Sequence, residues 1–427
     1  MTAELVVLYQ DQIAGTLTRV KGGKLVLRFS DAYRLGSKAT SISTGISLSQ
    51  PEHTGQHLRN WLWGLLPDNE NVLTRWGRMF SVSIGSPFGL LSTEIGEDCP
   101  GAFSFVKPER VDAMMGNKGQ VEWLNEKDLA AIVRELRADA SAWLGSDPPG
   151  RFSLSGAQTK TALLWDGARW GRPSGATATT HIVKPAISGL DEHDLNEHLC
   201  LRAAAAAGLV VVDTALHSFE DQTALFVRRY DRFKRNNHQV RVHQEDLCQA
   251  LGISPAKKYQ NEGGPSPKMV AELIRLTIPA PIDVKSIESF ADALIWNWII
   301  AGPDAHAKNY SFLLSGAEVR LAPLYDISST LAYPSISQQR IRLGMKFGTD
   351  YSIDARAPTW PTLARGLGIQ EESLRSRAER LISVVPDAFA TAASLPDVQA
   401  LSTKLPAKLK DAVAKRAKRC AVQATLR

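Results

Sequence analysis

Apolar and polar positions change period along this chain, and the changes divide it. Residues 4–9 and 13–20 read as strands flanking a short polar turn, and 24–29 alternates like a half-buried strand. Apolar residues then recur at helical spacing over 55–66 and 69–80, split by Pro67-Asp68. A further helix is expected over 126–144, with Leu129, Ile132, Val133 and Leu136 on one face. It runs into Gly145-Ser146-Asp147-Pro148-Pro149-Gly150, a run of turn formers that predicts a linker. From 153 to 230 the pattern is mostly strands, at 160–165, 181–184, 209–214 and 223–229, with one helix at 191–207. Beyond 231 it turns helical, at 243–251, 268–277, 287–300, 371–394 and 406–424, interrupted by strands at 310–314, 319–321 and 340–345. The expected divisions are a β-rich domain (1–106), a helical connector and linker (107–150), a strand-rich lobe (151–232), a helical lobe (233–403) and a basic helix (404–427).

Composition narrows the class. A chain of 427 residues is too long for one simple core, and 44% hydrophobic with 22% charged residues is ordinary for a globular protein. No run of about 18 apolar residues predicts a membrane span. Residues 1–8 lack the basic flank and cleavage site of a signal peptide and read as a strand. Cys99, Cys200, Cys248 and Cys420 form no C-x-x-C pair, which argues against zinc or a disulfide framework and fits a cytoplasmic protein. The net charge of +6 is concentrated at the end: eight basic residues from Lys404 onward meet only Asp411, so the preceding residues sum to about −1.

The strongest chemical signal is Asp304-Ala305-His306-Ala307-Lys308-Asn309, followed by Asp326 in Tyr325-Asp326-Ile327. In protein kinases a catalytic-loop Asp takes the acceptor proton, an Asn five residues later binds magnesium, and a further Asp holds the metal on the phosphates. Asp304 and Asn309 have that spacing, and a hairpin at 310–321 would return Asp326 to Asn309. Lys184, at the end of an apolar strand, and Glu197, in the next helix, match the kinase ion pair. The loop Ser153-Leu154-Ser155-Gly156-Ala157-Gln158-Thr159-Lys160 stands where a phosphate-covering loop belongs, although it is neither a Walker A nor a G-x-G-x-x-G motif.

The chain resembles the HipA family along nearly its whole length. The resemblance rests on Gly64-Leu65-Leu66-Pro67-Asp68, the 153–160 loop with Thr161-Ala162-Leu163-Leu164, and Thr180-His181-Ile182-Val183-Lys184. It extends through Asn196-Glu197, Val227-Arg228-Arg229-Tyr230-Asp231-Arg232, Gln244-Glu245-Asp246, Lys258-Tyr259 and Gly263-Gly264-Pro265 to the Asp304 and Asp326 motifs. It implies an α+β, two-lobed protein-kinase-like fold related to phosphoinositide kinases, with an added β-rich N-terminal domain. The implied activity is that of an ATP- and Mg2+-dependent serine/threonine-protein kinase, the toxin of a toxin–antitoxin pair. Asp304 would be the base, Asn309 and Asp326 the metal ligands, and Lys184 the phosphate lysine braced by Glu197. ATP would also meet Ser155, Gly156, Ala157, Gln158, Thr159, Lys160, His306, Ala307, Lys308 and Tyr325. A hinge at Arg228, Arg229 and Tyr230 would meet the adenine and Asp231 the ribose; Arg228 departs from the family, which often has Glu there. The resemblance further implies autophosphorylation at Ser153, with Ser155 as alternative. It implies a small HipB-like antitoxin whose helix-turn-helix reads operator DNA, and a protein target such as an aminoacyl-tRNA synthetase. Lys415, Arg416, Lys418 and Arg419 could add DNA phosphate contacts.

Three other readings stay open on the residues. A small-molecule kinase would use the same acids. A DNA-binding regulator acting as corepressor would use 244–254 as the start of a helix-turn-helix, but Gly263-Gly264-Pro265 leaves little room for a recognition helix. A metal-dependent hydrolase would take Asp304, His306 and Asp326 as ligands.

Overall fold

The computed structural model describes residues 3–116, 119–145, 151–235, 238–337, 340–353 and 360–425. Most of the expected linker, 146–150, lies outside them. The chain forms two compact units, one of Met1–Pro185, Ser218–Ala256 and Ser311–Arg320, the other of Ala186–His217, Lys257–Tyr310 and Leu321–Arg427.

In the first unit, strands β1 (Ala3–Tyr9), β2 (Gln12–Arg19), β3 (Leu25–Phe29), β4 (Glu52–Thr54) and β5 (Phe103–Val106) form an antiparallel sheet of order β4-β3-β2-β1-β5. Alternation along β1 and β3 turns Leu5, Val7, Leu25, Leu27 and Phe29 to one face. They share a core with Trp61 and Leu62 of the Gln56–Gly64 helix and with Val72 and Trp76 of the Glu70–Met79 helix. A second sheet has the order β10-β11-β9-β7-β8-β6, with β6 Gly119–Trp123, β7 Thr161–Trp165, β8 Trp170–Gly175, β9 His181–Lys184, β10 Thr214–Phe219 and β11 Gln222–Arg228.

Two helix expectations change here. The helix expected to run to 144 ends at Ala138, because Asp139 goes extended and its carboxylate accepts the Ser141 N–H at 2.8 Å and hydroxyl at 2.7 Å. That turn drops Trp143 into the first core. The helix expected over 243–251 is instead strand β14 (His243–Asp246), paired with β15 (Ser311–Ser315), and the single turn Leu247–Ala250. Asp246 caps that turn through the Gln249 N–H at 2.9 Å, so a helix cannot start earlier. No helix-turn-helix forms there. Strands β12 (Arg232–Arg235), β13 (His238–Arg241) and β16 (Glu318–Leu321) complete the small ladders of this part.

The second unit is mainly helical. The apolar run 287–300 lies in the helix Ile282–Ile299, with Phe290, Trp296 and Trp298 fully buried. Trp296 stacks on Phe389 of the Glu371–Ala393 helix, and Trp298 on Phe347 of β17 (Arg342–Phe347), which pairs with β18 (Asp350–Ser352). The strand expected at 209–214 reduces to one parallel bridge, Val211 to Leu324, and the neighbouring strand starts only at Thr214. Arg416 of the basic helix Leu405–Thr425 does not face solvent: it is fully buried and donates to Trp298 O at 3.0 Å and Ile353 O at 2.8 Å. A guanidinium there satisfies a helix-end carbonyl. Lys415, Lys418 and Arg419 remain exposed.

Candidate active site

The loop after the Ile282–Ile299 helix carries the strongest motif. His306 N–H donates to Asp304 O at 2.9 Å and Asn309 N–H to His306 O at 3.0 Å. The Asn309 side-chain nitrogen also donates to Asp304 O, which leaves its Oδ1 as the free acceptor end of that amide. The Asp304 side chain is 52% exposed, while His306 is buried against it with Nε2 3.7 Å from Asp304 Oδ1. Burial lowers the His306 imidazole below its ordinary value, the nearby Asp304 carboxylate only partly opposing it.

The segment carrying Asp326 is tied to this loop just upstream and anchored to other elements on both flanks. The hydroxyl of Tyr325 donates to Lys308 O at 2.7 Å, and Leu324 N–H donates to Val210 O at 2.9 Å. Downstream, the buried Asn196 side chain donates to Ser329 O at 2.8 Å and accepts from Ser329 N–H at 3.1 Å. Asp326 itself has φ of 58°, a left-handed conformation that a non-glycine residue keeps only where its surroundings enforce it. Its charge is felt by both His306 and Tyr259.

Strand β17 also closes on the loop, with Gly344 N–H donating to Pro303 O at 2.8 Å. A Cβ at Gly344 would lie 2.9 Å from Ala305 C and O and from His306 N, so only glycine permits this approach.

In the first unit the 153–160 loop is held by the segment that precedes the Glu70–Met79 helix. Asp68 N–H donates to Gly156 O at 2.9 Å, and the Ser153 hydroxyl donates to Leu65 O at 2.5 Å. Ser153 is fully buried, its N–H donating to Asp98 O at 2.8 Å, whereas Ser155 is half-buried. The two serines are therefore not presented alike, as an extended segment alone would predict. Gln158 Nε2 is a buried donor with no hydrogen-bond partner, a group suited to an incoming phosphate oxygen. Lys160 is buried over the Trp143 ring and donates to Ser155 O at 2.9 Å, which makes it a brace for the loop. Lys184 is buried at the end of β9 opposite Leu225. Glu197 is buried in the His193–Ala206 helix of the second unit.

Asp231, for which a ribose contact is expected, lies inside a buried network of charges. Asp231 is buried, and its oxygens accept from Arg229 at 3.0 and 2.8 Å, Arg232 at 2.7 Å and Gly101 N–H at 2.8 Å. Arg232 also bonds Asp98 at 2.9 Å, and Asp98 accepts from Thr179 N–H at 3.0 Å and its hydroxyl at 2.8 Å. Burial works against these charges, but Arg229 and Arg232 outweigh it and hold Asp231 down at about 2. For Asp98, Arg232, Arg241 and Arg229 outweigh burial likewise. The Arg229 side chain is committed to the same network, so residues 228–230 can offer a nucleotide only the exposed Arg228 side chain, Tyr230 and backbone groups.

Comparison with known proteins decides the family. The HipA-like C-terminal domain matches residues 152–389 and the HipA N-terminal domain residues 5–106. The Y4mE protein of Sinorhizobium fredii is 32% identical over 91% of this chain and 92% of its own length. The chain belongs to the HipA family. The serine/threonine-protein kinase toxin HipA of Shewanella oneidensis is 29% identical over 79% of the chain and 77% of its own length. The structure of HipA from the same organism, solved with HipB and operator DNA, superposes with a TM-score of 0.80 at 23% identity, covering 99% of this chain and 100% of that one. The α+β, kinase-like HipA fold is thereby shown for this chain.

Within this HipA fold three positions escape a reading of the sequence. Asn196 and Tyr259 stand inside the family strings but carry no role legible from spacing. Asp98 gives no signal, because its arginine partners lie more than 130 positions away.

Proposed function

We propose that this HipA-family chain is a serine/threonine-protein kinase acting as the toxin of a toxin–antitoxin pair. One observation supports the reading: Asp304 and Asn309 share one loop with Asp304 open to solvent, and Tyr325, the neighbour of Asp326, donates to Lys308 O of that loop. Asp304 accepts the proton of the acceptor hydroxyl. Asn309 and Asp326 supply hard oxygen ligands, the donor set that suits magnesium completed by nucleotide phosphates. Magnesium, when bound, neutralises charge on the transferring phosphoryl group. Among the described residues no three or more His, Cys, Asp or Glu side chains are grouped to hold a metal, so the hydrolase reading lacks its ligand set.

On the nucleotide side, Lys184, the Gln158 amide and the backbone of the 155–160 loop receive ATP phosphates, and the backbone at 228–230 receives adenine. The acceptor is a protein serine or threonine, by resemblance on an aminoacyl-tRNA synthetase. Autophosphorylation at Ser153 requires the loop to leave Leu65 and Asp98, since the hydroxyl is buried; Ser155 needs less movement. Operator recognition falls to an antitoxin partner, because 243–262 holds only a strand and short turns. The four buried free thiols suit a cytoplasmic setting.

The test is incubation with γ-labelled ATP, magnesium and cell extract. Label on a protein, lost with Asp304→Asn, is expected. Label confined to small molecules would replace the protein kinase by a small-molecule kinase.

A further inference from the structure

The segment 257–264 meets the catalytic loop at two places and strand β17 at a third. Ala307 N–H donates to Lys258 O at 3.1 Å, Lys346 N–H of β17 donates to Gln260 Oε1 at 2.8 Å, and the Tyr259 hydroxyl donates to Asp304 Oδ1 at 2.5 Å. The segment can close this way because Gly264 has no side chain. A Cβ there would stand 2.6 Å from Lys257 O, 2.8 Å from Tyr259 O and 2.9 Å from Lys258 O, while Gly264 N–H donates back to Tyr259 O at 2.9 Å. The His306 ring meets the Tyr259 ring edge-on, with centroids 4.8 Å apart, which fixes the phenol laterally.

We infer that Tyr259 is a positioning residue for phosphoryl transfer, holding Asp304 by Oδ1 so that Oδ2 takes the acceptor's proton. The inference rests on the kinase reading above. In the step it serves, the acceptor hydroxyl oxygen bonds the γ-phosphorus and its proton passes to Oδ2. The bond from that phosphorus to the β–γ bridging oxygen breaks, and its electron pair leaves on ADP. Tyr259 keeps its proton throughout. Burial, and then the Asp304 carboxylate, push its phenol far above the ordinary tyrosine range, so it remains a donor. A carboxylate free to rotate about its terminal torsion would present Oδ2 only part of the time, and misplacement of a reacting atom by about 1 Å can cost roughly a hundredfold in rate.

Tyr259→Phe removes the hydroxyl and keeps the ring against His306. Initial rates of label transfer to protein in cell extract, at saturating γ-labelled ATP and magnesium, would be compared for wild type, Tyr259→Phe and Asp304→Asn. Magnesium–ATP affinity by calorimetry and the melting temperature would be measured on the same samples. The expected result is a kcat roughly 10- to 100-fold lower for Tyr259→Phe, with acceptor KM, nucleotide affinity and melting temperature unchanged. A rate within twofold of wild type would overturn the inference. So would a faster rate, which would make Tyr259 an occupant of the acceptor's place, or a loss matched by a lower melting temperature, which would make it merely structural. Wild type that labels no protein would overturn the kinase reading itself, and this inference with it.

Discussion

Two charged clusters in this molecule use similar residues to opposite ends. In the first unit Asp98 and Asp231 are sealed among Arg229, Arg232 and Arg241. In the second, Asp304 stands half-exposed and is met by a phenol and an imidazole instead of a guanidinium. The sealed cluster sets two carboxylates against three guanidiniums, and both carboxylates are already bonded to arginines. The open one keeps the Asp304 carboxylate at the surface, where the proposed acceptor hydroxyl can reach it. A string of charged residues in a sequence therefore marks a ligand site only if its charges are not already balanced by distant parts of the chain.

The comparison can be broken at either cluster. The largest expected effect is on transfer: Asp304→Asn should lower the rate by roughly 100- to 10,000-fold, the contribution of a positioned base. Nucleotide affinity and melting temperature should stay near wild type, as titration and a melting curve would show.

Next comes the sealed cluster. Asp98→Asn leaves buried guanidinium charge uncompensated and should destabilise the protein by about 3–5 kcal/mol in denaturant unfolding. The same network sets an acid dependence. Asp231 is depressed from 3.8 to about 2, and Asp98 lower still, so their stabilisation is present in full above the ordinary aspartate value and is lost as pH falls through 2. Between pH 4 and 2 the wild type should lose stability more steeply than the Asp98→Asn/Asp231→Asn double variant; equal slopes would place the acid dependence elsewhere.

A smaller effect is expected from Arg416→Met, which leaves two buried carbonyls short of a donor and should cost about 1–3 kcal/mol. The smallest concerns the exposed cations of the same helix. Neutralising Lys415, Lys418 and Arg419 should reduce the salt dependence of DNA binding by an antitoxin-bound complex, by about 0.9 per lost phosphate contact in the logarithmic slope. An unchanged slope would leave those residues as a solvated helix face.

The same contrast explains what the sequence makes legible. Asp304, Asn309 and Asp326 can be proposed from sequence because the chemistry assigned to them demands fixed residue types at short, recognisable separations. Strands β1 to β3 and the Ile282–Ile299 helix are readable because their apolar periods are unambiguous. The 243–251 segment misleads because its apolar spacing fits a helix, while the partner that makes it a strand, β15, lies more than 60 residues downstream. Arg416 misleads in the same way: in a run of basic residues it looks like surface, and only tertiary packing turns it inward. The partners of Asp231 are hidden in the same way, since Gly101 and, through Arg232, Asp98 lie far upstream.

On the proposed reading the open cluster performs the transfer and the sealed one only holds the fold. Single-turnover label transfer per folded molecule, measured for Asp304→Asn and Asp231→Asn side by side with nucleotide affinity and melting temperature on each sample, separates the two roles. Asp304→Asn is expected to melt like wild type and be nearly inactive, while Asp231→Asn melts lower but binds nucleotide and transfers phosphate normally once folded. An Asp231→Asn protein that melts like wild type yet loses nucleotide affinity would contradict that reading.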